Sequence, residues 1–562
     1  MTVYRSLGRL WPVMVLAACG GADPVKPSLV MCSASVTPTV LTVGQDAALD
    51  PLATSGCVVF PANASTTDSA EYLFVPQAAT TTADYHSSFK LSGGAAVSGA
   101  PPIAAAWQAP QVSPAQQFHD QLRLWEQERS FPTPGGAPPV AAAPRLTAPA
   151  RDALGDQRVF KVLANLQNPQ IYMNVTATAR SIGQHFIIYV DNNAPAPGLS
   201  TGDLDALRMV FDTLLYAVDT TAFGRESDID GNGKVIVLMS SVINSLVTAA
   251  QCQSGGYVAG FFFGADIDPN FKQSWNSAEI FYSIVPDSQA TLSCAHTNAS
   301  VKQVLPVTFI HEFQHMISYN QHVLLGKGVS EELWLNEGLS HYAEERGGWA
   351  FLAANDSTHF CEQVRGVLYD FGLYVANPGA TGLVTLTGLG TLDERGAWWS
   401  FVRFLVDQFA SDTSQAAADA FTRRIDQTNL RGVSNIVNAT GTSFDLLSRR
   451  WVLANYVSDL PGFAAPATMK YKHWAFRTAY PRLKARCPTI PNAFQPTYPL
   501  VATASAGSAI NAVGTMYAGS AGTYRRALQG PNGPSFTLLF SDGSGATLQS
   551  SIVPKLQVIR IR

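Results

Sequence analysis

The chain has 562 residues, of which 46% are hydrophobic and 14% charged. That is too apolar for a disordered chain and too poorly charged for a coiled coil. Thirty-seven Lys and Arg against 41 Asp and Glu leave a net charge of −4, so there is no basic footprint for nucleic acid, and the length allows about two to four domains.

At the N-terminus Arg5 and Arg9 precede a short apolar run, Leu10 to Leu16, and then Leu16-Ala17-Ala18-Cys19. This predicts a signal peptide over 1–18, since the run is far short of the roughly 20 residues a membrane span needs. Leu-Ala-Ala-Cys resembles the lipobox of bacterial lipoproteins, which implies cleavage before Cys19 and a lipid anchor on that residue. Gly20, standing where the family pattern has aspartate for inner-membrane retention, favours an outer-membrane or surface location. An ordinary secretory signal is the alternative. Six other cysteines, Cys32, Cys57, Cys252, Cys294, Cys361 and Cys487, are an even number in an exported chain and predict disulfides. The sequence-local pairing joins Cys32 to Cys57, Cys252 to Cys294 and Cys361 to Cys487.

Residues 19–130 begin with a Thr-, Ser- and Val-rich stretch without helical periodicity, which predicts a small β domain, and end in a helix-compatible piece, Gln116 to Arg129. The Pro-, Ala- and Gly-rich stretch 131–150 reads as a linker. From there the predicted order is strands at Val159 to Leu166 and His185 to Val190, a helix opened by Ser200, and strands at Val235 to Met239, Tyr257 to Phe263 and Ala278 to Ile284. Helices at Leu305 to Gln321 and Ser330 to Arg346 follow. A mixed sheet followed by helices predicts an α+β catalytic unit over 151–350, with a helical subdomain over 351–480 and a β-rich tail over 481–562.

The informative residues are His311-Glu312-Phe313-Gln314-His315. On a helix, positions four apart differ by about 40° round the axis and about 6 Å along it, so His311 and His315 can share one zinc. Glu312 lies about 100° round from His311, beside the metal, where its carboxylate could take a proton from water. Pro306 suits the first turn of that helix. Catalytic zinc usually takes three protein ligands, and Trp334-Leu335-Asn336-Glu337-Gly338-Leu339-Ser340 offers Glu337, in an apolar context and directly before a glycine that permits close backbone approach. Glu331, Glu332, Glu344 and Glu345 are the alternatives, each otherwise read as a solvated helix edge.

These two segments resemble the glutamate-zincin metallopeptidases, and their spelling from Thr308 to Ile317 and from Trp334 to Ser340 is most similar to the hyicolysin family. The likeness extends more loosely from about Phe160 to Tyr456, including Phe223-Gly224, the segment Ser227 to Val237 and Ala278 to Tyr282, and leaves out the terminal β-rich regions. It implies a zincin-like unit with zinc held by His311, His315 and Glu337, and Glu312 as general base in peptide hydrolysis. One departure is His341, four residues after Glu337 where better-known members have an aspartate supporting a zinc-bound histidine. His341 on the Glu337 face is a candidate for that support or for proton transfer, with a surface histidine as the plain reading. Tyr342, Tyr319, Tyr369, Tyr374 and His359 are candidates for stabilising the transition state.

Asp228-Ile229-Asp230-Gly231-Asn232-Gly233 spaces three oxygen side chains as in the first half of a calcium loop, without the closing glutamate of an EF-hand. It reads either as a partial calcium site completed from elsewhere or as an Asn-Gly turn feeding the next strand. The function expected is that of a zinc endopeptidase acting on protein or peptide in the cell envelope or secreted. A zinc exopeptidase and a surface lipoprotein binding module with a vestigial metal site are the alternatives.

Overall fold

The computed structural model describes residues 36–93, 112–132, 152–166, 168, 170–487 and 494–562. The signal segment, Cys19, Cys32 (and so the Cys32–Cys57 pairing) and most of the linker lie outside them. The architecture is α+β. Nine strands of the β-rich ends are β1 (Asp46–Leu49), β2 (Cys57–Phe60), β3 (Ala70–Ala78), β4 (His86–Gly93), and, after the central unit, β11 (Thr503–Ala506), β12 (Asn511–Tyr517), β13 (Arg525–Gln529), β14 (Phe536–Ser541) and β15 (Pro554–Arg560).

These ends are not separate in space. One sheet runs β1-β15-β3-β13-β11 and the other β12-β4-β14-β2, so strands from the two termini alternate. Phe60, Tyr72, Phe74 and Phe536 fill the space between them, with Phe60 stacked on Phe536 at 4.9 Å. Alternation along β3 sends Leu73 and Val75 to the opposite face, where they join the main core. The two-faced β3 therefore couples the β body to the helices, and the Tyr524 hydroxyl reinforces this by donating to the Val452 carbonyl.

The central sheet holds β5 (Gln157–Leu163), β6 (Tyr172–Ile182), β7 (Phe186–Asp191), β8 (Val235–Met239), β9 (Gly260–Phe262) and β10 (Ile280–Ser283) in the order β5-β6-β7-β8-β10-β9. The strands β7, β8 and β10 are mutually parallel, and β8, Val-Ile-Val-Leu-Met, is buried throughout, as expected of a strand covered on both faces. The short β9 forms the edge, antiparallel to β10. The strand β6 escaped the sequence reading because its Asn, Thr, Ser and Arg residues dilute the apolar pattern.

Five helices frame the site: α1 (Pro114–Glu128), α2 (Asn298–Tyr319), α3 (Leu333–Ala353), α4 (Ser357–Ala376) and α5 (Leu392–Phe409). Thr297 caps α2 by accepting from the Ser300 N–H, so the helix starts about two turns before the predicted point and Pro306 lies inside it. Phe309 fixes α2 on the sheet, 5.0 Å from Phe186 and stacked at 4.3 Å on Phe211. Gly338 lets α5 approach α3, since a Cβ there would sit 2.9 Å from Val402 Cγ2 and 3.0 Å from the Trp398 carbonyl oxygen. Gly396 does the same between α5 and α4, against the Asp370 backbone. Disulfides join Cys252 to Cys294 and Cys361 to Cys487, tying the segment before β9 to the approach to α2, and α4 to residues beyond α5.

Candidate metal centre

His311 and His315 leave α2 one turn apart, and Glu337 leaves the second turn of α3 toward them. Their three inner edges are 3.1 Å between the two Nε2 atoms, 3.5 Å from His311 Nε2 to Glu337 Oε2, and 3.5 Å from His315 Nε2 to Glu337 Oε1. A tetrahedral ion with ligands at about 2.0–2.1 Å has ligand–ligand edges of about 3.3 Å, so the triangle fits zinc. Glu337 is 1% exposed and its Oε1 has no hydrogen-bond partner among the described residues, a state that is costly for a buried carboxylate oxygen and that a cation would relieve.

The outer nitrogens are held too. His311 Nδ1 donates to Glu344 Oε1 at 2.8 Å, and His315 Nδ1 lies 2.9 Å from Asn336 Oδ1 and 3.0 Å from Ser340 Oγ. Protonated Nδ1 positions turn both Nε2 lone pairs inward, which sets the ligand tautomers. Glu344 and Asn336 thus orient the two candidate ligand rings, and neither contact was legible in the sequence. Glu344 lies two turns beyond Glu337 on α3, so it reaches His311 from the position where the familiar pattern would need only one turn.

Burial pulls the His311 pKa down, but hydrogen bonds and charge from Glu337 and Glu344 outweigh it and lift it to about 10. Burial, then the Arg123 charge, hold His315 well below its usual value. A metal ion would displace the shared proton among these groups on binding. Burial would raise Glu337, yet the Arg395 charge and the histidines hold it well below the carboxylate range. Arg395, wholly buried, is 3.8 Å from Glu337 and paired with Asp120 on α1.

Glu312 Oε2 accepts the Phe262 N–H of β9 at 2.9 Å, while Oε1 is 3.3 Å from His119 Nδ1. Burial raises its pKa, but the His119 hydrogen bond and the three histidine charges bring it to about 2, so it is an ionised acceptor. His119 belongs to α1, in the region read from sequence as part of the N-terminal β domain. Nothing in its local sequence signals a site. With Gln116 it lines a cleft of about 550 Å³ together with Gly260, His311, Glu312 and Glu337.

The remaining candidates separate clearly. His341 lies against Glu344 and His311: its Nδ1 is 2.8 Å from Glu344 Oε1 and its ring packs against His311 at 4.8 Å. Tyr342 does not face the cleft; it is fully buried under the Arg403 guanidinium, because its helical position points to α5 rather than α2. Tyr319 donates to Asp268, Tyr374 pairs with Ser520 and His359 with Asp356, whereas Tyr369 lines the cleft. Glu331 and Glu345 are not solvated edges. Glu331 accepts from the Gly432 N–H and Asn435, and Glu345 accepts from Trp349, Trp399, Trp474 and Arg403. Glu332 accepts from the Trp334 indole.

No protein-family model matches the chain. Over 226 residues it is 25% identical to the neutral metalloprotease ShpI of Staphylococcus hyicus, covering 40% of this chain and 48% of that protein. It therefore spans about half the length of this curated relative. A solved two-domain M1 zinc metallopeptidase with bound L-tryptophan aligns at 10% identity over 53% of this chain and 51% of its own, with a TM-score of 0.26.

Proposed function

We propose that the chain is a zinc metallopeptidase, and that it acts as an endopeptidase with His311, His315 and Glu337 holding the metal and Glu312 as general base. The observation that carries this is the buried triangle of two Nε2 atoms and one carboxylate, with an ionised Glu312 beside it. The partial likeness to a neutral metalloprotease supports the same reading. The motif spelling supports placing it near the hyicolysin family. When bound, zinc supplies a Lewis acid that acidifies water toward a pKa of about 7 and polarises the scissile carbonyl.

Glu312 accepts the proton of the attacking water and later delivers it to the leaving nitrogen, and its bond from the Phe262 N–H holds one oxygen fixed while the other stays on the His119 side of the cleft. A cleft of about 550 Å³ lined by α1, β9, α2, α3 and α4 suits several residues of peptide better than one terminal residue, which supports endopeptidase action. Export on a lipid anchor at Cys19, to the outer membrane or surface, is proposed from the Arg5-to-Cys19 pattern, and the disulfides support an oxidising compartment. No helix of the described residues is long and apolar enough to cross a membrane.

Metal analysis of purified protein, paired with casein cleavage with and without chelator, tests the reading. In Glu312→Gln the size of the side chain is kept and its proton-accepting capacity lost, so activity should fall at least about a hundredfold while zinc stays. Undiminished proteolysis in that variant, or a wild-type protein that binds no zinc, would overturn it.

A further inference from the structure

We propose a second, calcium-binding site, separate from the metal centre, formed by Asp228, Asp230 and Glu279. The loop 227–233 runs into β8, while Glu279 immediately precedes β10, so the cluster exists only because β8 and β10 pair as parallel neighbours. One oxygen from each of the three carboxylates lies within 4.8 Å of the others. Ligands at about 2.4 Å from one calcium ion can be at most about 4.8 Å apart, so the three fit around a single ion. An all-oxygen, carboxylate-rich donor set is the kind that hard cations select.

Glu279 supplies the independent observation. It is 1% exposed; its Oε1 accepts from Ser227 Oγ and the Ile229 N–H, but Oε2 has no hydrogen-bond partner among the described residues. A buried carboxylate oxygen left unpaired is costly unless a cation meets it. Among the described residues no cationic side chain is ion-paired with Glu279. Arg158 pairs with Asp230 at 3.5 Å and donates to the Asn276 carbonyl, and Lys234 donates to the carbonyls of Gly183 and Gln184. Burial, with the Asp230 charge adding to it, lifts the Glu279 pKa to about 7.

The structure also revises the donor set read from the sequence. Asn232 Oδ1 accepts the Lys234 N–H at 2.6 Å, and its amide nitrogen donates to Asp230 at 3.1 Å, so Asn232 presents its donor rather than its oxygen. Glu279, 51 residues after Asp228, takes its place. An ion there fastens the loop to the start of β10 and so clamps two central strands, with Gly231 and Gly233 providing the left-handed turns (φ +74° and +67°) that curl the loop back.

Zinc-loaded protein freed of calcium by dialysis, titrated with calcium chloride in a calorimeter and followed by its Tm, tests the site. About one calcium per chain should bind, and Tm should rise by at least about 2 °C at a hundred times Kd. Asp228→Asn, at an exposed position where the amide still accepts the Gly233 N–H, should weaken binding at least about tenfold with zinc content unchanged. Glu279→Gln should do the same. No heat and an unchanged Tm up to about 10 mM calcium, well above the range of extracellular calcium modules, would overturn the proposal. So would binding by both variants as tight as that of the wild type.

Discussion

The two walls of the cleft are built on different principles. On the α2–α3 wall both candidate histidine ligands are held at both ends: their Nε2 atoms converge on one point with Glu337, and their outer nitrogens are fixed by Glu344, Asn336 and Ser340. The α1 wall is loosely satisfied. Among the described residues Arg123 Nε and Nη1 have no hydrogen-bond partner although Arg123 Nη2 approaches Glu126 to 3.1 Å, and α1 is fastened at the site through Asp120 and Gln116 to Arg395 and Arg123 to the Phe262 carbonyl. The α2–α3 wall is a preorganised donor frame. The α1 wall instead sets the charge that the frame experiences, so changes on the first should alter metal binding and changes on the second should alter titration.

The largest effect should come from removing a ligand. Glu337→Ala leaves two histidines and a hole, so zinc content and proteolysis should be lost together. Retention of one zinc per chain with activity intact would mean that the third ligand is another group, and Glu344, already against His311 Nδ1, would be the first to examine. Glu344→Ala itself should keep the ligand set but free the His311 ring, weakening zinc affinity about 10–100-fold. Zinc affinity within twofold of wild type would show that the α2–α3 frame does not depend on its outer bonds.

Legibility followed the range of the interactions. His311 and His315 were visible because one helical turn brings them together whatever the rest of the chain does, and Glu337 because an apolar context and Gly338 set it apart from its acidic neighbours. The placements of Glu344, His119 and Glu279 were not, since each is brought to its neighbours by an element distant in sequence: α2 for Glu344, the return of α1 for His119, the β8–β10 pairing for Glu279. The same holds for the fold. The strands of β7, β8 and β10 were read from continuous apolar runs, but no local pattern could show that β3 and β15, nearly the whole chain apart, are hydrogen-bonded neighbours. Pro306 misled because proline is most at home in a first turn, whereas Thr297 nucleates α2 earlier and the helix tolerates the missing donor.

The test that most directly sharpens the contrast concerns Glu126, and leaves the metal site itself untouched. Burial, with Glu312 and Glu337 adding negative charge, lifts its pKa to about 8 against the opposing pull of Arg123. In the unfolded chain it titrates near the ordinary 4.5. Between these values the native state holds a proton that the unfolded state has released, so this group's contribution is largest in acid and is lost as pH rises toward 8, by at most about 1.4 kcal/mol per pH unit. Glu126→Gln resembles the neutral acid at every pH and should escape that loss. In zinc-depleted protein, where metal charge and metal linkage are absent, the Tm of the variant minus that of the wild type should therefore increase from pH 5 to pH 8. Parallel Tm curves across that range would place the titrating charge of the cleft elsewhere than on α1.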